Sequence, residues 1–480
     1  MKPPSGQALF GKILALFPLV FFSMRAYNQS MKKTFTKDIV KTTLKMAWPS
    51  VVESFFVALA GVIDSLMVSG LGSDAVAAVG LTTQPKFIGL AFFIATNIGI
   101  SALVARRLGE QRKNDANSIL MTAIKLIIVA SVIISALMVI FADPIIRFCG
   151  STEETHDDAV IYFQVIMGGM IFNTLSLGIN AAQRGIGNTK ITMRANLVSS
   201  GVNIVFNYLL IEGHLGFPRL EMFGAALATV LGTVVACVMS ILSVMKKDCY
   251  INIPYAVSEK LRGDSRSLRS MLSVSSSVFV EQLFLRVGFF ATAWMAARMG
   301  NDGMAAHQVG MNVMSLSFSF GDGLQAAAVA LIGRSLGEEK PDLAKKYATC
   351  CELFGLAISL VLIAIYVSFG RNIYQAFFPN DPSIVDIGVF IMYIIAATCF
   401  FQIRAVIIAG ALRGAGDTRY TAFCGIITVT FIRTIVSYVC GFVLNWGILG
   451  VWCGVFADMF FRLILMGIRL RSGKWTKIKI

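Results

Sequence analysis

Twelve apolar segments, each long enough to cross a lipid bilayer as a helix, constrain this chain more than any other feature of its sequence. A spanning helix needs roughly 20 apolar residues, because its backbone polar groups must be satisfied within the segment. The segments run near 44–70, 83–105, 118–142, 159–183, 191–212, 222–245, 271–298, 308–333, 347–370, 386–412, 420–444 and 448–470. The 480 residues are only 14% charged, against roughly 25% in soluble domains. The sequence therefore predicts an all-α integral membrane protein with twelve transmembrane helices.

The charges in the connections orient these helices. Connections after even-numbered segments carry the basic residues Arg106, Arg107, Arg112, Lys113, Lys246, Lys247, Lys340, Lys345 and Lys346, and those after odd-numbered segments are acidic or neutral. Because basic loops stay on the cytoplasmic side, we expect a multi-pass protein of the cell (inner or plasma) membrane with both termini cytoplasmic. The same rule explains the formal net charge of +15 without a nucleic-acid partner.

The chain also repeats itself. ALVARRLGE at 102–110 recurs as ALIGRSLGE at 330–338, and RGIGNTK at 184–190 recurs as RGAGDTR at 413–419. The residue numbers of the first pair differ by 228 and those of the second by 229, and Glu53 and Glu281 share the offset of 228. An even number of crossings gives both halves the same orientation, so we expect two six-helix lobes related by a pseudo-two-fold axis along the membrane normal. Repeats of this kind place the substrate path between the halves.

These features divide the chain into five parts. Residues 1–43 form an N-terminal extension and the cytoplasmic approach to the first span, 44–245 the N-lobe, 246–270 a cytoplasmic linker, 271–470 the C-lobe and 471–480 a basic cytoplasmic tail. The polar linker is expected to be an amphipathic helix on the membrane surface. We expect residues 1–30 to be a dispensable or misassigned extension at that surface, since their apolar run is shorter than a complete span.

The repeated glycine turns have a structural interpretation. Their members are Arg184, Gly185 and Gly187 in the first half and Arg413, Gly414 and Gly416 in the second. The glycines allow the chain to break between two helices, and the arginines end their helices on the basic side. Asn188 and Asp417 are expected to cap the helices that follow.

Two carboxylates lie within the first span. Glu53 and Asp64 are eleven residues apart, or about 20° around a helix, and therefore share a face. An acid at the membrane centre costs roughly 2.5–3.5 kcal/mol, so it needs a partner, a proton or a cavity. Two titratable groups at two depths suit the movement of a cation. The alternatives are that Asp64 is solvated at the outer interface and that Glu53 is packed as a protonated acid.

Other charges inside the spans are assigned by spacing. Arg286 lies five residues after Glu281, about 140° around the helix, so Asp322 is its candidate partner. Asp458 and Arg462 are four residues apart and are expected to neutralise each other. Spacing offers no partner for two further arginines, which are Arg404 and Arg433.

Enzymatic chemistry has no visible basis in this sequence. The nine cysteines and three histidines show no metal-ligand spacing, and no catalytic triad or phosphate-binding loop is present. We therefore expect neither an enzyme, nor a bound metal, nor a cofactor.

The motifs together resemble the multidrug and toxic compound extrusion (MATE) family. The resemblance is carried by Trp48-Pro49 with Val62-Ile63-Asp64, the two Leu-Gly-Glu turns, the two Arg-Gly-x-Gly turns and AAHQVG at 305–310. It implies the export of organic, mostly cationic compounds by proton or sodium antiport, through alternating access of two lobes. The implied partners are small organic cations and the lipid bilayer, and a monomer is expected.

The resemblance also assigns site residues. Asp64 matches the first-helix acid of the family's amino-terminal cation site. Asn203 and Asn207 match an Asn-x-x-x-Asp pair, in which Asn207 is a departure, and Thr229 resembles the remaining ligand. Glu281 matches a seventh-helix acid, and Gln402 replaces a tenth-helix acid. The cation-coupling set is thus Asp64, Asn203, Asn207, Thr229 and Glu281, and the expected substrate-binding set is Glu53, Asp64, Glu281, Gln282, Arg286 and Gln402.

Two questions remain open at this stage. Burial disfavours the charged form of a lone carboxylate, which makes protons the favoured coupling ion for Asp64 and Glu281. Sodium stays possible, because Asn203, Asn207 and Thr229 offer neutral oxygen ligands. The alternative function is a flippase for lipid-linked saccharides of the same broad superfamily. Arg286 favours that alternative, whereas twelve helices and the Asp64/Glu281 pair argue against it.

Overall fold

The computed structural model describes residues 36–261, 263–379 and 381–478, and over these residues the chain is helical. The long helices are α1 Lys37–Ser69, α2 Ser73–Gly109, α3 Lys113–Ile140, α4 Glu153–Gly168 with Met170–Gly185, α5 Thr189–Leu210, α6 Glu221–Met245, α7 Ser265–Ala297, α8 Asn301–Gly337, α9 Pro341–Phe377, α10 Pro382–Gly414, α11 Thr418–Val443 and α12 Gly447–Arg471. The two segments of α4 meet at 45°. The prediction of twelve helices in two lobes is confirmed.

The helices extend beyond the apolar segments from which they were predicted. The 37 residues of α2 span about 55 Å at 1.5 Å per residue, whereas a hydrocarbon core is about 30 Å thick. Polar ends therefore continue each helix into the interface, and α2 begins ten residues before the expected position. Helix α5 is less apolar than the spans on either side of it. Its polar residues include Lys190, Arg194, Asn196, Asn203 and Asn207.

Two hydrophobic cores define the lobes. One core has members on α1–α4 and α6 and contains the fully buried Phe93 and Phe163, and the other has members on α7–α12 and contains Trp452. The lobes exchange one helix end each at their boundary. Val51 in the first half of α1 packs in the C-lobe core, and Met271 in the first half of α7 packs in the N-lobe core. The first halves of α1 and α7 therefore join the lobes on the side of the bundle where α1 begins and α12 ends.

Glycines bring the lobes closest on that same side. A Cβ placed on Gly323 of α8 would lie 2.6 Å from the Cα of Val51, and one on Gly333 would lie 2.9 Å from the Cβ of Ala105. Such distances leave no room for a side chain. The two lobes are thus in direct contact on the side where α1 begins and α12 ends.

The repeated turns use their glycines as expected. Gly187 has φ +86° and Gly416 has φ +92°, a region that other residues adopt at a cost. A Cβ on Gly185 would lie 2.8 Å from the carbonyl oxygen of Ser101, and one on Gly414 would lie 2.5 Å from that of Val329. One glycine of each turn therefore makes the bend, and another lets two helices touch.

The expected capping of α5 and α11 is wrong. Neither Asn188 nor Asp417 makes a side-chain cap hydrogen bond. Asn188 Nδ2 instead donates to Gln183 Oε1 at 3.2 Å, and Asp417 Oδ2 accepts from Arg469 Nε at 2.6 Å. Both side chains bond residues outside the helix they precede, which fixes the turn rather than the helix end.

The linker between the lobes contains a shorter helix than expected. The linker helix is Ile253–Ser258, and α7 already begins at Ser265, within the predicted linker. Asn252 caps the short helix by accepting from the backbone N–H of Tyr255 at 2.7 Å, and its own N–H donates to Asn117 Oδ1 of α3 at 2.8 Å. Hydrogen bonds therefore tie the linker to the N-lobe. Residues 1–30, expected to be a surface extension, lie outside the described residues.

Helix α11 is irregular in its middle and at its C-terminal end. Its segments Ile426–Arg433 and Val439–Val443 are π-helical, so the backbone there is wider than in an α-helix. π-Helical turns are rare and occur frequently at functional sites.

Candidate cation and substrate site

Three helices of the N-lobe bring the predicted amino-terminal site together. Asn207 Nδ2 of α5 donates a hydrogen bond to Asp64 Oδ1 of α1. Asn203 Nδ2, one turn earlier on α5, donates to Thr229 Oγ1 of α6 at 3.2 Å and lies within hydrogen-bonding reach of Asp64. The four residues form one cluster, which we call the Asp64 cluster.

The Asp64 cluster is rich in oxygen atoms that face inward. Asn207 is fully buried, and its Oδ1 has no hydrogen-bond donor among the described residues. The hydroxyl of Tyr162, from α4, lies within reach of Thr229 and of the Asp64 carboxylate. Carboxylate, amide and hydroxyl oxygens are the ligands that hard cations prefer. The donor set therefore suits a proton or a small monovalent cation.

A lysine that the sequence analysis missed completes this cluster. Lys86 of α2 lies close enough to Asp64 for a direct electrostatic interaction. It was overlooked although it falls inside a predicted span, where an ionisable residue is by default a functional candidate. Its ammonium group offsets the carboxylate charge, so the cluster as a whole is close to neutral when both groups are ionised.

Glu53 lies eleven residues before Asp64 in α1 and forms a separate ion pair. Arg184 Nη1, from α4, lies 3.2 Å from Glu53 Oε1, and Asn196 Nδ2 of α5 donates to the same oxygen. Glu53 is only 6% exposed. Arg184, predicted as part of a structural turn, therefore also neutralises a carboxylate in the first helix.

Glu281 is held in the same way in the C-lobe. Arg413 Nη2, from α10, donates to both carboxylate oxygens of Glu281 at 2.8 Å. Glu281 and Arg413 are the repeat counterparts of Glu53 and Arg184, so the ion pair recurs in both lobes. Glu281 is therefore not the lone carboxylate on which its expected proton coupling depended. A glycine, Gly425, packs against this carboxylate at the repeat position of Asn196.

A cavity of about 210 Å³ lies between the lobes. Its wall includes Glu53, Asn97 and Arg184 from the N-lobe and Asp322 and Gln325 from α8. Asp322 is exposed to this cavity, and the charged group it faces is Arg413, which also donates to Gln325 Oε1 at 3.2 Å. The expected pairing of Asp322 with Arg286 is wrong.

The remaining predicted substrate residues do not gather at one place. The Arg286 guanidinium lies over the ring of Phe87, 4.4 Å from its centroid, at the contact between α7 and α2. Gln402 of α10 is fully buried and donates to the carbonyl oxygen of Met314 at 3.4 Å. Gln282 is half-buried on α7. The structure thus brings the cation residues of α1, α5 and α6 together and leaves the expected substrate residues dispersed.

Two arginines find acids that only the fold reveals. Arg404 of α10 pairs with Glu352 of α9, on a groove of about 730 Å³ between α9, α10 and α12. Arg433 of α11 approaches Asp458, which also binds Arg462 as its spacing predicted.

Comparison with known proteins assigns this architecture. The family model MatE matches the chain twice, over residues 49–209 and 278–439. The two matches begin at Pro49 and Val278, within one residue of equivalent positions of the repeat. The chain belongs to the MatE family. MatE proteins are transporters, and the twelve helices, two lobes and repeated turns of this chain are those of a MATE efflux transporter.

Two curated relatives cover almost the whole chain. A protein named "Probable multidrug resistance protein NorM" from Thermotoga maritima is 27% identical over 455 residues, covering 94% of this chain and 96% of its own length. A protein named "Uncharacterized transporter YisQ" from Bacillus subtilis is 25% identical over 459 residues, covering 95% and 98%.

Solved MatE structures share the fold. An outward-facing conformation of a multidrug resistance MATE family transporter superposes with a TM-score of 0.84 at 21% identity, covering 92% of this chain and all of that one. A MOP superfamily transporter from Pyrococcus furiosus superposes with a TM-score of 0.83 at 21% identity, again covering 92% of this chain and all of that one. At this identity the likeness concerns the fold alone.

Proposed function

We propose that this chain is a secondary active multidrug exporter that expels organic, mostly cationic compounds in exchange for a monovalent cation. The Asp64 cluster carries the proposal, because it places an ionisable carboxylate among inward-facing oxygens in a two-lobed bundle. The names of the curated relatives support drug export as the activity.

The contacts between the lobes support alternating access as the mechanism. The lobes touch on the side that holds both helical termini, whereas Asp64 lies near the opposite end of α1. Binding of a proton or a small cation would neutralise the Asp64 carboxylate and weaken its attraction for a cationic drug. A ligand that prefers one arrangement of the lobes shifts the population towards it, so the ion would favour drug release on the side away from the termini.

We propose the proton as the main coupling ion. Sodium binding is driven by local negative charge, and the Lys86 ammonium beside Asp64 reduces that charge. Asn207 stands where the resemblance implies a second acid, which reduces it further. Loss of a proton from Asp64, by contrast, would be helped by the neighbouring ammonium. Because Glu281 is bound to Arg413, we propose Asp64 alone as the coupling acid.

The proposed orientation follows from the basic loops. With Lys and Arg in the connections after even-numbered helices, both termini would lie in the cytoplasm. The contact between the lobes would then close the cytoplasmic side, and the structure would correspond to an outward-facing state. The test is a reporter enzyme that is active only outside the cytoplasm, fused after residue 480. Activity of this fusion in cells would contradict the proposed orientation.

The decisive experiment is transport in proteoliposomes with one imposed gradient at a time. We expect a pH gradient without sodium to drive uptake of a fluorescent organic cation, and Asp64→Asn to abolish that uptake. Asp386→Asn, at the exposed ion pair with Arg371, is the matched control and should transport normally. Unchanged transport by Asp64→Asn would refute the role of Asp64. A response to a sodium gradient alone would refute the proton and leave the exporter standing.

A further inference from the structure

The core of the C-lobe contains an arginine without sufficient partners. Arg433, at the end of the π-helical segment Ile426–Arg433, is 0% exposed. None of its three guanidinium nitrogens has a hydrogen-bond acceptor among the described residues. A buried guanidinium carries five N–H donors and remains charged, and burying such a charge without a partner is strongly unfavourable.

The acid nearest to Arg433 is engaged by another arginine through one of its two oxygens. Asp458 Oδ1 of α12 accepts from Arg462 Nε at 3.3 Å and from Arg462 Nη2 at 2.9 Å. Asp458 Oδ2 accepts no hydrogen bond from the described residues and lies 3.8 Å from Arg433 Nη1, so it contributes charge but no hydrogen bond to Arg433. Two guanidinium groups thus share one carboxylate, and the three side chains together carry a net charge of +1. We call them the Arg433 cluster.

The surroundings of the Arg433 cluster add aromatic rings and one further N–H group without an acceptor. The ring of Phe289 covers one face of the Arg433 guanidinium at 4.7 Å, which leaves the N–H groups directed sideways, in the plane of the group. His307 lies within electrostatic reach of Arg433 and its ring is 5.5 Å from that of Trp452. The indole N–H of Trp452 is buried and also lacks an acceptor among the described residues.

The backbone holds Arg433 in this position. A Cβ on Gly454 of α12 would lie 2.4 Å from the carbonyl oxygen of Arg433, so α11 and α12 are in direct contact there. The π-helical turn that ends at Arg433 is of the kind that is common at functional sites. The arginine is therefore fixed by helix packing and cannot easily leave the lobe core for water.

The Arg433 cluster occupies in the C-lobe the position that the Asp64 cluster occupies in the N-lobe. Asp458 is the repeat counterpart of Thr229, and α7, α11 and α12 are the counterparts of α1, α5 and α6. The two lobes therefore carry polar clusters at equivalent places with different charge. The N-lobe cluster combines a carboxylate with inward-facing oxygens, whereas the C-lobe cluster is positive and rich in N–H donors.

We propose that Arg433 binds a small monovalent anion, such as chloride, in the core of the C-lobe. The anion would accept hydrogen bonds from the guanidinium and compensate the net positive charge. Water could accept the same hydrogen bonds but would leave the charge uncompensated in a medium of low dielectric constant. The ion would thereby stabilise the C-lobe independently of any transported drug.

The first test measures the melting temperature of the purified transporter in sodium chloride, sodium bromide and sodium gluconate at equal ionic strength. A ligand that binds only the folded state stabilises it in a saturable way. We expect the halides to raise the melting temperature by about 2 °C or more. Arg433→Gln should lose this response. Arg404→Gln, which alters another arginine of the C-lobe, should keep it. A halide response that persists in Arg433→Gln, or is absent from the wild type, would overturn the proposal.

The second test uses the wild-type protein, so it does not depend on the folding of a variant. Crystals grown in bromide should show an anomalous scattering peak within about 3.5 Å of the Arg433 guanidinium. Density at that place without an anomalous signal would identify water and overturn the anion. Neither measurement requires transport, so the result stands apart from the proposed export function.

Discussion

Gly109 and Gly337, which are equivalent residues of the two repeats, lie directly against each other where the two lobes meet. A Cβ on Gly109 would lie 2.9 Å from the Cα of Gly337 and 2.1 Å from the carbonyl oxygen of Arg334. A Cβ on Gly337 would in turn lie 2.2 Å from the carbonyl oxygen of Arg106. The Leu-Gly-Glu turns are thus the point at which the repeat meets itself across the pseudo-two-fold axis.

The contact between Gly109 and Gly337 predicts that a larger side chain there prevents the two lobes from closing. In Gly109→Val, the side chain would overlap the backbone of α8, so the lobes would have to separate there. We expect export to fall at least about tenfold, because a transporter that cannot close one side cannot complete its cycle. Export from cells at matched expression is the measurement. Gly80→Ala, on the same helix with open space around it, should export normally, and near-normal export by Gly109→Val would contradict the prediction.

The Glu281–Arg413 ion pair predicts a large loss of stability. Glu281→Gln leaves the Arg413 guanidinium, with a side chain only 9% exposed, without its main partner. Breaking a buried pair costs about 3–5 kcal/mol, and we expect the lower end because Gln325 still accepts from Arg413. Denaturant unfolding in detergent measures the effect. Addition of Arg413→Gln should recover part of the loss, whereas Arg371→Gln, at a surface pair, should change stability by less than about 0.5 kcal/mol.

Lys86 predicts a gain of cation affinity on mutation. Lys86→Gln removes the positive charge beside Asp64 and keeps a polar side chain of similar length. Since the attraction between the carboxylate and an added cation is then no longer opposed, we expect sodium to bind about tenfold more tightly. Sodium-dependent melting at alkaline pH measures the change. Lys45→Gln, an exposed position of α1, is the matched control, and an unchanged sodium response in Lys86→Gln would exclude Lys86 from the site.

Asp264 predicts a stability term that depends on pH. Its Oδ1 accepts from the backbone N–H of Ser267 at 2.9 Å and caps α7. Hydrogen bonds from the side chain and the backbone of Ser267 hold the pKa of Asp264 below its usual value. The cap therefore contributes fully above the unfolded pKa of about 3.9 and is lost as the pH falls through the lower folded pKa. At neutral pH, Asp264→Ala should cost about 1 kcal/mol, whereas Asp264→Asn should retain most of the cap. An equal loss in both variants would contradict this role.

The sequence predicted contacts well where they are set by one helix or by the repeat. The four-residue spacing of Asp458 and Arg462 was enough to pair them, and the offset of 228 placed Glu53 and Glu281 at equivalent positions. The arginines that neutralise these two acids lie 131 and 132 residues away. Their pairing depends on how the fold brings Arg184 of α4 to α1 and Arg413 of α10 to α7, which no local pattern contains.

The same reason explains what the sequence analysis missed. Lys86 is a single charge in an apolar segment, and only the packing of α2 against α1 brings it to Asp64. The sequence did not predict the uncompensated positive charge at Arg433, because the net charge there depends on which acid a neighbouring helix supplies. The caps failed for a related reason, since tertiary partners such as Arg469 bind Asp417 in place of the helix N-terminus.

The asymmetry between the lobes determines the electrical character of the proposed exchange. At the repeat position of Asp64, the C-lobe has Thr292, which is buried and donates to the carbonyl oxygen of Gly288. With one coupling carboxylate instead of two, a cycle would exchange one proton for one monovalent drug cation, and no net charge would cross the bilayer. The membrane voltage, worth about 2.3 kcal/mol per charge and 100 mV, would then neither assist nor oppose export. A difference of one pH unit would sustain about a tenfold drug gradient, whatever the voltage.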